Sequence, residues 1–237
     1  MKVLIACEES QRVCIAFRNL GYEAYSCDIQ ECSGGHPEWH IQGDVLPLIN
    51  GNCSFYTMDG IFHSVKGRWD LLVAHPPCTY LTNASAVRMR VNGEIVQERY
   101  EKMLQGKEFF MSFLNADCEH IAVENPVPMK LCELPPYTQI IQPWQFGDPW
   151  TKRTCLWLKN IPPLVPYVTS KPSDVQPWVN GGCKDAHGNY RRFQGRKERD
   201  PKNRAKTFPG IAKAMAKQWS TFITEQEQIG EKYESKL

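Results

Sequence analysis

The chain has 237 residues, of which 42% are hydrophobic and 23% charged, with a formal net charge of +2. It is long enough to bury a substantial core, and one domain, or one with an appendage, is expected. No apolar run approaches the ~18 residues of a membrane span, and Val3-Leu4-Ile5-Ala6-Cys7 is too short for a signal peptide, so a cytoplasmic protein with no membrane partner is expected.

Residues 2–7 are β-branched and apolar and read as a strand. A helix is expected over residues 9–20, with Ser10 near its start and Gly21 as its C-cap, followed by a strand over residues 22–29. Strand, helix and strand within 30 residues make a βαβ unit, the opening of a doubly wound α/β sheet. A Gly/Pro-containing stretch and Gly43-Asp44-Val45-Leu46 come next, and residues 50–68 read as irregular.

Residues 69–74 form a short buried strand that runs into Pro76 and Pro77. Neither proline has an amide donor, so the backbone turns and leaves Cys78 at the carboxyl end of the strand, where open α/β sheets place ligands. Residues 79–93 are polar and read as an active-site loop. Residues 98–114 carry an apolar helical face of Tyr100, Met103, Leu104, Phe110, Phe113 and Leu114. A strand from residue 120 ends in Glu124-Asn125-Pro126, and residues 139–146 and 154–158 read as further strands.

The domain expected from these elements is residues 1–158 plus 205–224. Residues 159–204 read as a loop-rich basic insertion, residues 211–223 as an amphipathic helix, and 225–237 as a charged, frayed tail. From Lys184 to Lys206, nine Lys or Arg face three acids, a local charge of +6 that leaves −4 for the rest. Such a segment fits either a phosphate-bearing partner or a solvated loop.

The ten cysteines are scattered, with no CxxC pair, and are expected as free thiols. Cys27, Cys32, His36 and His40 have a C-x4-C-x3-H-x3-H spacing but lack the tight knuckle of a zinc site, and no metal site is expected. Taken together, the predicted strand ends carry Cys7-Glu8-Glu9, Asp28, Gly43-Asp44, Cys78 and Glu124-Asn125. In a parallel sheet these share one edge and line one cleft. Cys78 is a candidate nucleophile there, an inert buried cysteine being the alternative. Asp28 stands where an acid binds ribose hydroxyls.

With Pro76-Pro77-Cys78 and a later Glu124-Asn125 pair separated by a helix, the chain resembles the cytosine-5 DNA methyltransferases, closest to small phage and bacterial proteins. The resemblance covers most of residues 1–158 and 205–220. It implies the Rossmann-like, mostly parallel sheet of the class I methyltransferases, S-adenosyl-L-methionine as cofactor, and DNA, double- or single-stranded, as partner in a bacterial or phage-infected cell. It also implies methyl transfer to C5 of cytosine through a covalent Cys78 adduct at C6.

Residue by residue, the resemblance makes Cys78 the nucleophile and Glu124 the acid near ring N3, with a pKa raised by burial. It makes Asn125 the residue that orients the loop and Arg153 a contact to the base or a phosphate. Cofactor contacts fall to Cys7, Glu8, Glu9 and Ser10 in the first turn, to Asp28, Ile29, Asp44 and Val45, and to Pro76. Thr207-Phe208-Pro209-Gly210-Ile211-Ala212 matches the late motif whose helix packs beside the cofactor. Nucleic-acid contacts fall to Arg88, Lys152, Arg191, Arg192, Arg196 and Lys197.

Two departures stand out. The family's glycine-rich first turn is replaced by Ala6-Cys7-Glu8-Glu9-Ser10, and the region available for target recognition is small. The alternatives are therefore C5 methylation of a free pyrimidine nucleotide or RNA, or a non-catalytic nucleic-acid-binding relative.

Overall fold

Val3 to Ala6 have no solvent exposure, so β1 (Lys2–Ala6) needs cover on both faces and belongs at the centre of a sheet. In the computed structural model, which describes residues 1–179, 181–184, 187, 189–193 and 200–234, it has that position. The chain continues through α1 (Arg12–Arg18), β2 (Glu23–Asp28), β3 (His40–Gln42), β4 (Cys53–Tyr56), β5 (Phe62–Val65) and β6 (Leu71–Ala74). Next come β7 (Arg90–Val91), β8 (Glu94–Ile95), α2 (Gln97–Leu114), β9 (Ile121–Pro126), β10 (Gln139–Ile141), β11 (Trp150–Thr151) and β12 (Thr154–Lys159). The last elements are β13 (Gln176–Pro177), β14 (Gly181–Lys184), β15 (Tyr190–Phe193), α3 (Pro201–Ala205) and α4 (Pro209–Glu234).

Seven strands form the main sheet in the order β10-β12-β9-β6-β1-β2-β3. The pairs β1–β2, β1–β6, β2–β3 and β6–β9 are parallel, while β12 runs antiparallel to both neighbours. The strand order reverses between β1 and β6, which makes that point of the carboxyl edge the switch-point crevice of a doubly wound sheet. The expected Rossmann-like α/β class is the one observed.

Side chains alternate between two cores, as the period of a strand requires. Leu4, Ala6, Leu72, Ala74, Ile121 and Val123 pack with Met103, Phe110 and Phe113 of α2. Val3, Ile5, Leu71, Val73 and Ala122 pack with Val13 and Phe17 of α1 and Met215 and Trp219 of α4.

Several boundaries differ from the sequence reading. The first helix begins at Arg12, because residues 8–11 form a turn that holds its amino end. Within residues 50–68, read as irregular, β4 and β5 form an antiparallel hairpin. Its Phe55 and Val65 are buried in the α2-side core while the rest of it is largely solvated, a pattern too short and too polar to register as strand. The strand expected over residues 139–146 stops at Ile141, and Pro143 opens a 3-10 turn. Glu124, Asn125 and Pro126 lie within β9, paired with Leu156, Cys155 and Thr154 of β12.

The basic insertion holds β13, the β14–β15 hairpin and α3. Residues 225–234, expected to fray, continue α4, since Glu, Gln and Lys are good helix formers. Arg196 and Lys197 lie outside the described residues. Among the described residues no helix is long and apolar enough to cross a membrane.

Candidate active site

The turn after β1 solves without glycine what glycine usually solves. Cys7 and Gln11 adopt φ of 59° and 56°, a left-handed conformation that costs about 1 kcal/mol for each. The Glu8 carboxylate then accepts the amide hydrogens of Val13 (2.7 Å) and Cys14 (3.1 Å) and so caps α1 from outside. Close backbone approach is handled by the facing loop. A Cβ on Gly34 would lie 2.6 Å from the Gln11 side chain and 2.8 Å from the Ser10 carbonyl. The Ser33 amide donates to the Glu9 carbonyl at 2.8 Å, and the Gln11 amide donates to the His36 carbonyl at 2.8 Å.

Burial lifts the Glu8 carboxyl above its usual range, against the His75 charge and the two amide bonds. Buried Glu9 presents Oε2 to the Lys202 ammonium at 3.5 Å, and no hydrogen bond satisfies that oxygen. Burial, with Asp28 next and Cys27 and Asp44 adding, pushes the Cys7 thiol far up; Cys27 is pushed to about 12, so neither is a ready nucleophile. Asp28 and Asp44 bond the Gln30 and Leu46 amides. Val45 and Pro76 are buried, while Ile29 is exposed.

Beyond β6, the His75 amide still donates to the Ala6 carbonyl at 2.9 Å, and Pro76 and Pro77 then break the ladder. The Cys78 carbonyl accepts from Leu81 and Thr82, both at 3.0 Å, so the cysteine opens a tight turn. That loop is stapled to the end of β9 by Asn83 donating to Val127 (2.8 Å) and Met129 donating to Leu81 (2.8 Å). Burial drives the Cys78 thiol up and the Glu124 charge adds to it, while Lys152 and Arg204 pull the other way.

The register pairs Ala74 with Val123, so the next residues, His75 and Glu124, become neighbours. His75 Nδ1 lies 3.3 Å from Glu124 Oε2, with the two side chains 10% and 18% exposed. Burial alone would raise the Glu124 carboxyl, but the His75 hydrogen bond and charge, with Lys152 and Thr154, outweigh it and hold the carboxyl below its usual range. This corrects the expectation of a raised Glu124, for a reason that lies in His75. Burial would likewise depress His75, yet Glu124 and then Glu8 hold its imidazole above the usual histidine value.

Beside Glu124 a recess is lined by Lys152, Thr154, Lys206, Thr207, Phe208 and Ile211, with a volume of ≈ 10 Å³, roughly the room one water needs. Residues 204–207 close it: Lys152 donates to the Arg204 carbonyl at 3.0 Å and Arg12 to the Thr207 carbonyl at 2.8 Å. Asp148 accepts the Gly210 amide at 2.9 Å, and a Cβ at Gly210 would strike the Phe146 carbonyl, so the Pro209-Gly210 start of α4 is dictated by that contact.

The structure thus gathers Glu8, Cys78, Glu124 and Lys152 at one edge and distributes the other candidates. Lys152 lines the recess, whereas Arg153 is exposed and its charge reaches Cys155. Asn125 is fully buried, and neither its Oδ1 nor its Nδ2 has a hydrogen-bond partner, so no bond ties it to the loop it was expected to orient. Arg88 is exposed at the end of the 3-10 turn after Cys78. Arg191 and Arg192 lie on β15, opposite Cys183 and Gly182.

Sequence reasoning missed His75, Thr154, Lys202 and Arg204. His75 left a signal, a histidine between a buried strand and Pro76, and Lys202 and Arg204 lay within the basic segment without a site role. Of the residues in the C-x4-C-x3-H-x3-H spacing, His40 bonds Ser26 (2.8 Å) and the Gln30 carbonyl (2.9 Å), and His36 pairs with Glu38 and stacks on Trp39. Cys27 points to the Gly43 carbonyl.

No protein-family model and no curated protein matches this chain. Among solved structures, one similar chain is described as a DNA modification methyltransferase encoded within an E. coli prophage (TM-score 0.40, 10% identity, covering 76% of this chain and 58% of that one). Another is the Entamoeba histolytica methyltransferase EhMeth (TM-score 0.37, 11% identity, covering 74% and 58%). This chain therefore spans under two thirds of the length of either, and its function is argued from its own residues.

Proposed function

We propose that this protein transfers a methyl group from S-adenosyl-L-methionine to C5 of a pyrimidine, cytosine in DNA, through a covalent bond between Cys78 and C6. The observation that carries the reading is that a thiol and a carboxyl, from Cys78 and Glu124, stand at the carboxyl ends of the adjacent parallel strands β6 and β9, with Lys152 lining the recess beside Glu124. The residues near the first turn fit the cofactor. Glu9 has a buried oxygen lacking a hydrogen bond and facing an ammonium, as a carboxylate that holds an amino-acid ammonium should. Asp28 stands at the end of β2, where ribose hydroxyls bind. Glu8 is spent on capping α1, so the ammonium role falls to Glu9.

When bound, the cofactor supplies an electrophilic methyl group. The protein makes the pyrimidine nucleophilic. The Cys78 thiol gives its proton to solvent and the sulfur bonds to C6, and the ring charge this creates is neutralised by a proton held between Glu124 and N3. Lys152 stabilises negative charge at the ring or at a phosphate. Once C5 carries the methyl group, loss of the C5 proton to a base breaks the sulfur–C6 bond and frees Cys78. The basic residues between Lys184 and Lys206 support a polyanionic partner, whose affinity falls with salt.

The test is covalent capture. With labelled cofactor and an oligonucleotide containing 5-fluorocytosine, the protein should form an adduct stable to denaturation, and Cys78→Ala should form none. An adduct with 5-fluoro-dCMP alone would move the substrate to a free nucleotide. No adduct with either, together with no cofactor binding by calorimetry, would overturn the enzymatic reading.

A further inference from the structure

His75 is absent from the pattern that the resemblance supplies, yet it makes a direct polar contact to the candidate acid. Its Nδ1 faces Glu124 Oε2 at 3.3 Å, while its other ring nitrogen, Nε2, is buried without a hydrogen-bond partner. The charged groups facing this ring are Glu124 from β9, Glu8 from the turn after β1, and Lys152 from the segment before β12. Glu8 in turn faces Glu9, and Glu124 also faces Lys152. Cys78, in the turn that follows β6, feels the charges of Glu124, Lys152 and Arg204 and completes the set.

We propose that His75 is the proton store for Glu124, a positioning residue that lets a buried carboxylate become a proton donor without drawing on solvent. The proposal rests on the methyl-transfer reading above and deepens it. An ionised Glu124 accepts hydrogen bonds only, and it is mismatched to cytosine N3, which is itself an acceptor. One proton transfer along the 3.3 Å contact removes the mismatch. The Nδ1–H bond breaks, an O–H bond forms on Glu124, and imidazolium and carboxylate become imidazole and carboxylic acid. The pair carries no net charge before or after, so the step adds no buried charge. With Nε2 unpartnered, Glu124 is the hydrogen-bond partner of the ring among the described residues, and the Nδ1 proton has that one acceptor. The two groups titrate as a pair, and the pair keeps one proton until the pH exceeds the imidazole's raised value.

Two measurements test this. In ligand-free protein, the His75 ring resonances should titrate above the ordinary histidine value of 6.5, and Glu124→Gln should bring that midpoint below it. A His75 midpoint at or below that value in the unsubstituted protein would overturn the proposal. In the second arm, adduct formation with the 5-fluorocytosine oligonucleotide is followed against pH. His75→Asn keeps a donor near Glu124 but cannot store a proton, so its loss of activity at high pH should begin about one pH unit lower or more. A merely structural role would lower the rate and leave that limb in place, which also overturns the proposal. Absence of any adduct from the unsubstituted protein would count against the methyl-transfer reading alone, because the ligand-free titration still decides the His75–Glu124 pair. It decides equally if the substituted proteins fail to fold.

Discussion

The amino-terminal edge of β6 and β9 holds a cleft of ≈ 570 Å³ lined by residues such as Asp70, His120, Asn160 and Phe222, whereas the carboxyl edge of the same strands holds a recess of ≈ 10 Å³. In the wide cleft several polar groups are already occupied. Asp70 accepts the Lys2 amide at 2.5 Å, His120 Nδ1 meets the Asp70 carbonyl at 2.9 Å, and Arg68 pairs with Asp117 at 2.9 Å. At the narrow edge, the Nε2 of His75, the Oε2 of Glu9 and both amide atoms of Asn125 are buried without hydrogen bonds. Buried polar atoms without partners cost stability. Among the described residues, several of these atoms collect at the edge that the proposed reaction uses, and none lines the wide cleft.

That contrast can be broken or sharpened by substitution. After Cys78→Ala, which should abolish the adduct, the largest effect is expected from Glu124→Gln, which keeps shape but cannot supply a proton: adduct formation should fall by about 10²- to 10⁴-fold, measured by denaturing gel with labelled cofactor. Near-normal rates would mean the carboxyl edge holds an ion pair and nothing more.

The His75–Glu124 pair should also show in the pH dependence of stability. Glu124, lowered on folding, stabilises above its ordinary value of 4.5 and loses that contribution as pH falls through its folded value. His75, raised on folding, stabilises below its ordinary value of 6.5 and loses it as pH rises through its folded value. Between those two pH values the stability difference between the unsubstituted protein and His75→Asn should be greatest, about 3 kcal/mol by denaturant unfolding. A difference independent of pH would show that the pair is not ionised.

Glu8→Ala removes the acceptor for two α1 amides and should cost about 2 kcal/mol in the same measurement, with Glu8→Gln costing less. Equal costs would mean that the charge of Glu8 matters more than its hydrogen bonding. The smallest effect belongs to the wide cleft: His120→Ala should leave adduct formation within about twofold of the unsubstituted rate. A larger loss would mean that the two edges are coupled.

Much of the frame was readable from local pattern. The apolar runs of β1, β6 and β9 and the amphipathic face of α2 announce themselves because a buried strand and a half-buried helix demand those spacings. Cys78 was legible because two prolines must end a strand just before it. The β4–β5 hairpin was not, since its residues alternate too weakly and its stability comes from Phe55 and Val65 packing into a core built by distant segments. Nor was the length of α4, whose polar end looks like a tail until the helix beneath it is seen.

Chain chemistry alone determined where the backbone must turn, which residue types stand at the strand ends, and that a thiol and a carboxyl flank one helix. What those groups do to each other was decided only in three dimensions. The β6–β9 register sets an imidazole against Glu124 and reverses the direction in which burial would have moved that carboxyl, and the segment before α4 folds over it. A charge's behaviour depends on its neighbours through space, and neighbours dozens of residues apart are assigned by strand pairing rather than by spacing along the chain.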